Sequence, residues 1–253
     1  MILLKRIRRR TLRRQEFPPA WATFLRDTVP FYRLLSADDR ALLHGHIQVF
    51  LAEKQFEGGL GLTMTDEMRL TVAAQACLLI LHRERDYFPR LSSIIIYPDE
   101  FVARRHDMDD SGVVTIGEEI RSGESWEGGS LVLSWEDVRA AGRPGEDDYN
   151  VVIHEFAHQL DAEEGITASL EGGGHPSPFG SALLAAFDKL CADLAANRET
   201  VFDPYGAESL PEFFACATEC FFGLPLLIRE YHPDFYTFLQ DYYGLDPAAW
   251  KTP

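Results

Sequence analysis

Val151-Val152-Ile153-His154-Glu155-Phe156-Ala157-His158-Gln159-Leu160-Asp161 is the stretch on which the reading of this chain turns. On a helix, His154 and His158 project from one face about 6 Å apart, so each imidazole can give one nitrogen to a single tetrahedral zinc. Glu155 lies between them on the open side of such a metal. There it can take a proton from coordinated water, whose pKa the metal lowers from about 15.7 to roughly 7, and pass it to a leaving amine. Val151 to Ile153 bury one side of the segment, and three polar groups left unpaired among core residues would cost several kcal/mol. A metal satisfies them, and the pattern is that of a zinc-dependent hydrolase.

A catalytic zinc takes three protein ligands and keeps a fourth position open, so a further ligand has to come from elsewhere in the chain. Asp161 follows His158 by three residues; its reach suits support of an imidazole, or helix capping, better than ligation. Downstream, Glu212-Phe213-Phe214-Ala215-Cys216-Ala217-Thr218-Glu219-Cys220-Phe221-Phe222 reads as a largely buried helix. Its two acids, seven residues apart, share one face, where a metal cluster could compensate them. Glu212 is the better ligand candidate and Glu219 the better outer support, the alternative being two acids on a solvated strip.

Around these segments the chain is organised as an α+β fold. Residues 1–16 are read as a basic N-terminal tail, or a helix lying on an acidic body: Lys5, Arg6, Arg8, Arg9, Arg10, Arg13 and Arg14 crowd there, against a net charge of −16 for all 253 residues. Contact with an anionic membrane surface or a nucleic acid is the alternative use of that segment. Residues 17–253 are expected to form one domain: a helical layer over 17–90, a small mixed sheet over 91–149, and metal-site helices over 150–245. Pro18-Pro19 opens a helix, Ser36 caps another, and the apolar periodicity from Thr65 to His82 marks a third. Short β-branched runs at Ser93–Tyr97, Val113–Ile116 and Ser130–Ser134 read as strands. Ser130–Ser134 could be the cleft's edge strand, on which an extended peptide pairs, or a purely structural strand.

The acidic balance argues against direct nucleic-acid binding by the molecule as a whole. The most apolar run, Val72 to Leu81, is too short for a membrane span and is interrupted by Gln75. Cys77, Cys191, Cys216 and Cys220 read as free thiols of a reducing cytoplasm, although Cys216 and Cys220, one turn apart, could in principle hold metal. The loop Gly172-Gly173-Gly174-His175 lies near the site in sequence, and His175 is read as a solvent-exposed loop residue that could contact substrate. Either this loop or the tail Tyr243-Gly244-Leu245-Asp246-Pro247 could gate the site.

The zinc-helix motif ending His158-Gln159-Leu160-Asp161 and the downstream Asp203-x-Tyr205, Pro211-Glu212-x-Phe214-Ala215 pattern resemble the Mlc titration factor family. These are bacterial zinc peptidases similar in fold to the catalytic domain of anthrax lethal factor. The resemblance runs on through Ile96-Tyr97-Pro98, Phe101-Val102, Gly123-Glu124-Ser125-Trp126 and Val132-Leu133-Ser134-Trp135. It implies a zincin-like metallopeptidase domain holding one zinc through His154, His158 and Glu212, with Glu155 as general base and Tyr205 hydrogen-bonding the oxyanion. It implies aminopeptidase-like cleavage of peptide or protein substrates. It also implies an alternative, non-catalytic role in which the protein binds a transcriptional repressor of the Mlc type that controls sugar transport. Cys216 departs from the toxin, which has a second glutamate at that point, so tuning of the site by a carboxylate at that position does not carry over.

Overall fold

The computed structural model describes residues 2–83, 86–99, 101–108, 114–121, 123–126, 129–141, 149–172 and 176–250, with the backbone alone at residue 2 and over 101–108, 114–121 and 123–126. Val113 and the Gly173-Gly174-His175 part of the glycine-rich loop lie outside the described residues.

The N-terminal layer consists of α1 (Ile2–Leu12), α2 (Pro19–Thr28), α3 (Ala37–Glu53) and α4 (Asp66–Leu78). Each of the last three starts where its sequence provides for the first turn. Pro19 takes the first position of α2; Ser36 Oγ accepts from Asp39 N at 3.0 Å, and Thr65 Oγ1 accepts from Met68 N at 3.3 Å. These caps occupy amide hydrogens that have no partner inside the helix. The basic segment is a helix lying on the body, the second of its two expected forms. Arg9 reaches Glu53 and Asp86, and Arg13 donates to Tyr87 Oη.

The sheet has the order β1-β2-β6-β5, where β1 is Gln55–Gly58, β2 Ser93–Tyr97, β5 Gly123–Trp126 and β6 Ser130–Ser134. β1, β2 and β6 are parallel and β5 is antiparallel to β6, so the expected mixed sheet is present. β1 falls within the stretch read as helical; four residues after a long helix carry too little periodicity to betray a strand. β3 (Phe101–Met108) and β4 (Val114–Arg121) form a separate antiparallel hairpin.

β6 is not an edge. It pairs with β2 on one side and β5 on the other, and Leu131, Val132 and Leu133 are buried on both faces of the sheet. The terminal strands of the sheet are β1 and β5, four residues each and without a β-branched run.

Beyond α5 (Trp135–Ala140) come α6 (Val151–Glu164), α7 (Ile166–Glu171), α8 (Pro178–Ala195), α9 (Leu210–Gly223), α10 (Pro225–Tyr231) and α11 (Pro233–Tyr243). α6 is the buried centre of the fold. Phe156 packs edge-on against Phe88, with centroids 4.7 Å apart, and lies 5.8 Å from Phe50 of α3. The opposite flank of α6 packs along α9. Gly165 ends α6 at φ +65°, a left-handed turn that costs glycine no Cβ clash, while its N–H closes on Asp161 O.

The C-terminal segment is built into this core and is not a loose flap. Tyr243 is fully buried with its hydroxyl on Thr218 Oγ1 at 2.7 Å, Leu245 is buried, and Tyr236 Oη donates to Asp246 Oδ1. Turn residues suggested a movable gate there; the buried side chains of Tyr243 and Leu245 and the Tyr236–Asp246 hydrogen bond hold the segment down.

Candidate metal centre

The site is assembled where α6 crosses α9. Asn150 caps α6 by accepting Ile153 N on Oδ1 at 3.0 Å, while its Nδ2 donates to Gln75 Oε1 of α4 at 2.7 Å. Its backbone N–H donates to Glu219 Oε2 on α9. One cap residue thus ties the start of the histidine helix to both neighbours.

One turn on, His154 is gripped at both ring nitrogens. Nδ1 donates to Glu219 Oε1 at 2.7 Å, and Nε2 faces His158 Nε2 at 3.1 Å and Glu212 Oε2 at 3.1 Å. His158 Nε2 lies 3.3 Å from the same glutamate oxygen. Atoms bound to a tetrahedral zinc at about 2.0–2.1 Å sit about 3.3–3.4 Å from one another, so the triangle has the dimensions of one coordination face. The chemistry of the donors agrees. With its proton on Nδ1, His154 presents a lone pair at Nε2, and three electron-rich atoms converge on one point that a cation would satisfy.

Burial opposes charging His154, but hydrogen bonds to Cys216, Glu212 and Glu219 override it and push its pKa well above the ordinary histidine value. Burial would likewise raise Glu212, yet hydrogen bonds from His154 and His158 hold it far below the usual carboxylate range. Cys216 is pushed up by burial and remains a thiol against His154.

His154, His158, Glu212 and Glu219 are therefore brought together, with the two acids of α9 at opposite nitrogens of one imidazole. The carboxylate beside His154 Nδ1 comes from Glu219, and Cys216 occupies the space next to it. Glu155 is buried on α6 next to His154. Tyr205 stands on a 3-10 turn at Pro204–Ala207, fixed by its N–H to Asp203 Oδ1 at 2.7 Å; its half-exposed ring is 6.2 Å from that of His154.

Asp161 lies three residues beyond His158 on α6. Its two oxygens accept from Thr167 N and Thr167 Oγ1, so of its two expected roles the hydrogen bonds are those of a cap. Cys220 donates to Val201 O, and among the described residues the clusters able to hold a metal include Cys216 but not Cys220. Sequence reasoning passed over Tyr149, whose ring is 6.1 Å from His154, and Gln75. Gln75 did leave a signal: a lone amide in an apolar helix must find a buried partner.

Residues 3–244 match the family model described as glucose-regulated metallo-peptidase M90. The chain belongs to that family. Its relatives include an uncharacterized protein from Synechocystis sp., 38% identical over 95% of this chain and 89% of that protein. Two proteins named Mlc titration factor A are also similar. The one from Pectobacterium atrosepticum is 30% identical over 88% of this chain and 85% of its own, and the one from Serratia proteamaculans 32% over 75% and 73%. The M90 family is a metallopeptidase class, and a metal cofactor belongs with it. The likeness to Mlc titration factors and the α+β, zincin-like metallopeptidase fold expected from sequence both hold.

Proposed function

We propose that this protein is a zinc-dependent peptidase, aminopeptidase-like in its substrates, that hydrolyses peptide bonds with His154, His158 and Glu212 as metal ligands. The observation that carries the reading is the convergence of His154 Nε2, His158 Nε2 and Glu212 Oε2 to within 3.3 Å, with His154 Nδ1 already held by Glu219. Two imidazoles and one carboxylate suit zinc among the divalent metals. Zinc bound there supplies Lewis acidity and lowers the pKa of coordinated water toward neutrality.

The chain's own groups do the rest. Glu155 takes a proton from the attacking water and returns it to the departing amine. Tyr205 donates its phenol to charge that develops on the substrate carbonyl oxygen only in the tetrahedral state, which lowers the barrier and leaves ground-state binding alone. Four free cysteines support placement in a reducing cytoplasm.

The test is hydrolysis of aminoacyl and internally quenched peptides by wild type and Glu155→Gln, matched for bound metal. Wild type should cleave, and Glu155→Gln should keep its metal while losing about 10²–10⁴-fold in turnover. Retained cleavage by the metal-loaded variant would sink the mechanism.

A second reading, binding of a repressor of the Mlc type, is favoured only by the name of the relatives. Such a complex would survive both Glu155→Gln and chelation, whereas peptide cleavage would be lost in both.

A further inference from the structure

We infer that α1 lays its outer face on an anionic membrane surface, holding the protein at a bilayer without spanning it. Two faces of the helix have divided its basic residues between them. Lys5, Arg9 and Arg13, four residues apart and so in one row, face the body. Lys5 pairs with Glu53 at 3.8 Å and Asp86 at 3.7 Å; Arg9 makes a fork of two 2.7 Å bonds to Glu53; Arg13 donates to Tyr87 Oη at 2.9 and 2.7 Å. The helix is thereby fixed to α3 with its other side outward.

That other side carries Leu3, Leu4 and Ile7, which are 70%, 73% and 55% exposed. At about 100° per residue, Arg6 and Arg10 run along one border of this apolar patch, Arg14 follows it past the end of the helix, and Arg8, which also donates to Ala52 O of α3 at 3.2 Å, lies along the other border. All four arginines are exposed. An apolar centre rimmed by guanidinium groups matches the acyl boundary of a bilayer at its middle and lipid phosphates at its borders.

Other occupants fit less well. Nucleic acid would use the arginines but set three aliphatic side chains against phosphates, and a second copy of α1 would oppose arginine to arginine. The remainder of the chain is acidic enough to bring the total to −16, so repulsion from anionic lipid confines contact to this helix. Among the described residues no single helix is long and apolar enough to cross a membrane.

The test is co-sedimentation of the full-length protein with vesicles of phosphatidylcholine alone and of phosphatidylcholine mixed with phosphatidylglycerol, at low and physiological salt. Binding should favour the mixed vesicles by about tenfold or more and weaken with salt. Leu3→Ser/Leu4→Ser/Ile7→Ser, which leaves charge untouched, should lose about tenfold in binding to mixed vesicles with an unchanged unfolding temperature. Should that triple variant unfold early, Leu4→Ser alone reads the same contact with a smaller loss. No sedimentation with mixed vesicles, undiminished binding by the correctly folded serine variants, or capture by duplex DNA in preference to vesicles would each overturn the proposal.

Discussion

His154 is the residue on which the site balances, because its two nitrogens do different work. Glu219 accepts the Nδ1 proton and so fixes both the tautomer and the ring plane, which turns Nε2 toward His158 and Glu212, where the proposed metal would bind. Glu219→Gln keeps an acceptor but removes the charge, and metal affinity should fall about 10–100-fold, as read by competition with a coloured chelator. Unchanged affinity would mean that the 2.7 Å contact orients nothing. Tyr205→Phe should instead leave affinity where it is and lower turnover by about a hundredfold, since the lost bond is one formed to developing charge. A variant that loses metal along with turnover would assign Tyr205 to the ligand set and end its proposed role as an oxyanion donor.

Among the elements, α6 depends most on its ends. Asn150 makes the cap bond to Ile153, the amide bond to Gln75 and the backbone bond to Glu219. Asn150→Ala removes the first two and strands Gln75 Oε1 in a buried position, for a loss of about 1–3 kcal/mol in urea unfolding. At the far end of the fold, Gly244 closes α11 at φ +66°, where an added Cβ would approach His82 Cβ to 3.0 Å. Gly244→Ala should cost about 1–2 kcal/mol through the left-handed backbone, with little effect on metal binding. Some helix starts were legible in the chain: Pro19 and Ser36 open their helices as local chemistry says they should, while the periodicity from Thr65 to His82 marked α4, which Thr65 caps and which ends earlier, at Leu78. The short strands were less legible. β1 and β5 carry four residues each, and their pairing is decided by neighbours distant in sequence.

For the molecule as a whole, acid should act first through His46, which α3 buries against the anchor of α1. Tyr87 Oη accepts from Arg13 and gives its own proton to His46 Nδ1 at 2.8 Å, a pattern that needs a neutral imidazole. Burial, with Arg13 adding repulsion, lowers its pKa to about 4. As pH falls below the unfolded value of about 6.5, the unfolded chain takes up a proton that the folded chain refuses, so stability declines until the folded value is passed. The loss should approach about 3 kcal/mol between pH 6.5 and 4, and His46→Asn should flatten it. Glu53 and Asp86 come next. Burial raises each, but Arg9 more than offsets it and holds both below their ordinary values, so their contribution is present at neutral pH and lost further into acid. Unfolding temperature against pH checks both. A flat profile for wild type from 6.5 to 4 would refute the role given to His46.

What the chain determined by itself is whatever local geometry can specify: two imidazoles one helical turn apart with Glu155 between them, helix starts at capping residues, and the buried run of α9 carrying two acids on one face. Glu212 and Glu219 could be chosen as partners of a metal helix because a buried carboxylate must be compensated. Only the tertiary structure decided which nitrogen each acid meets, since that depends on how α6 crosses α9 and no repeat in the sequence encodes it. It also turned Asp161 to Thr167, placed β6 between two strands, and packed Tyr243 and Leu245 into the core. A side chain's type and spacing state what it needs; the packing of distant elements determines which of several capable partners is within reach.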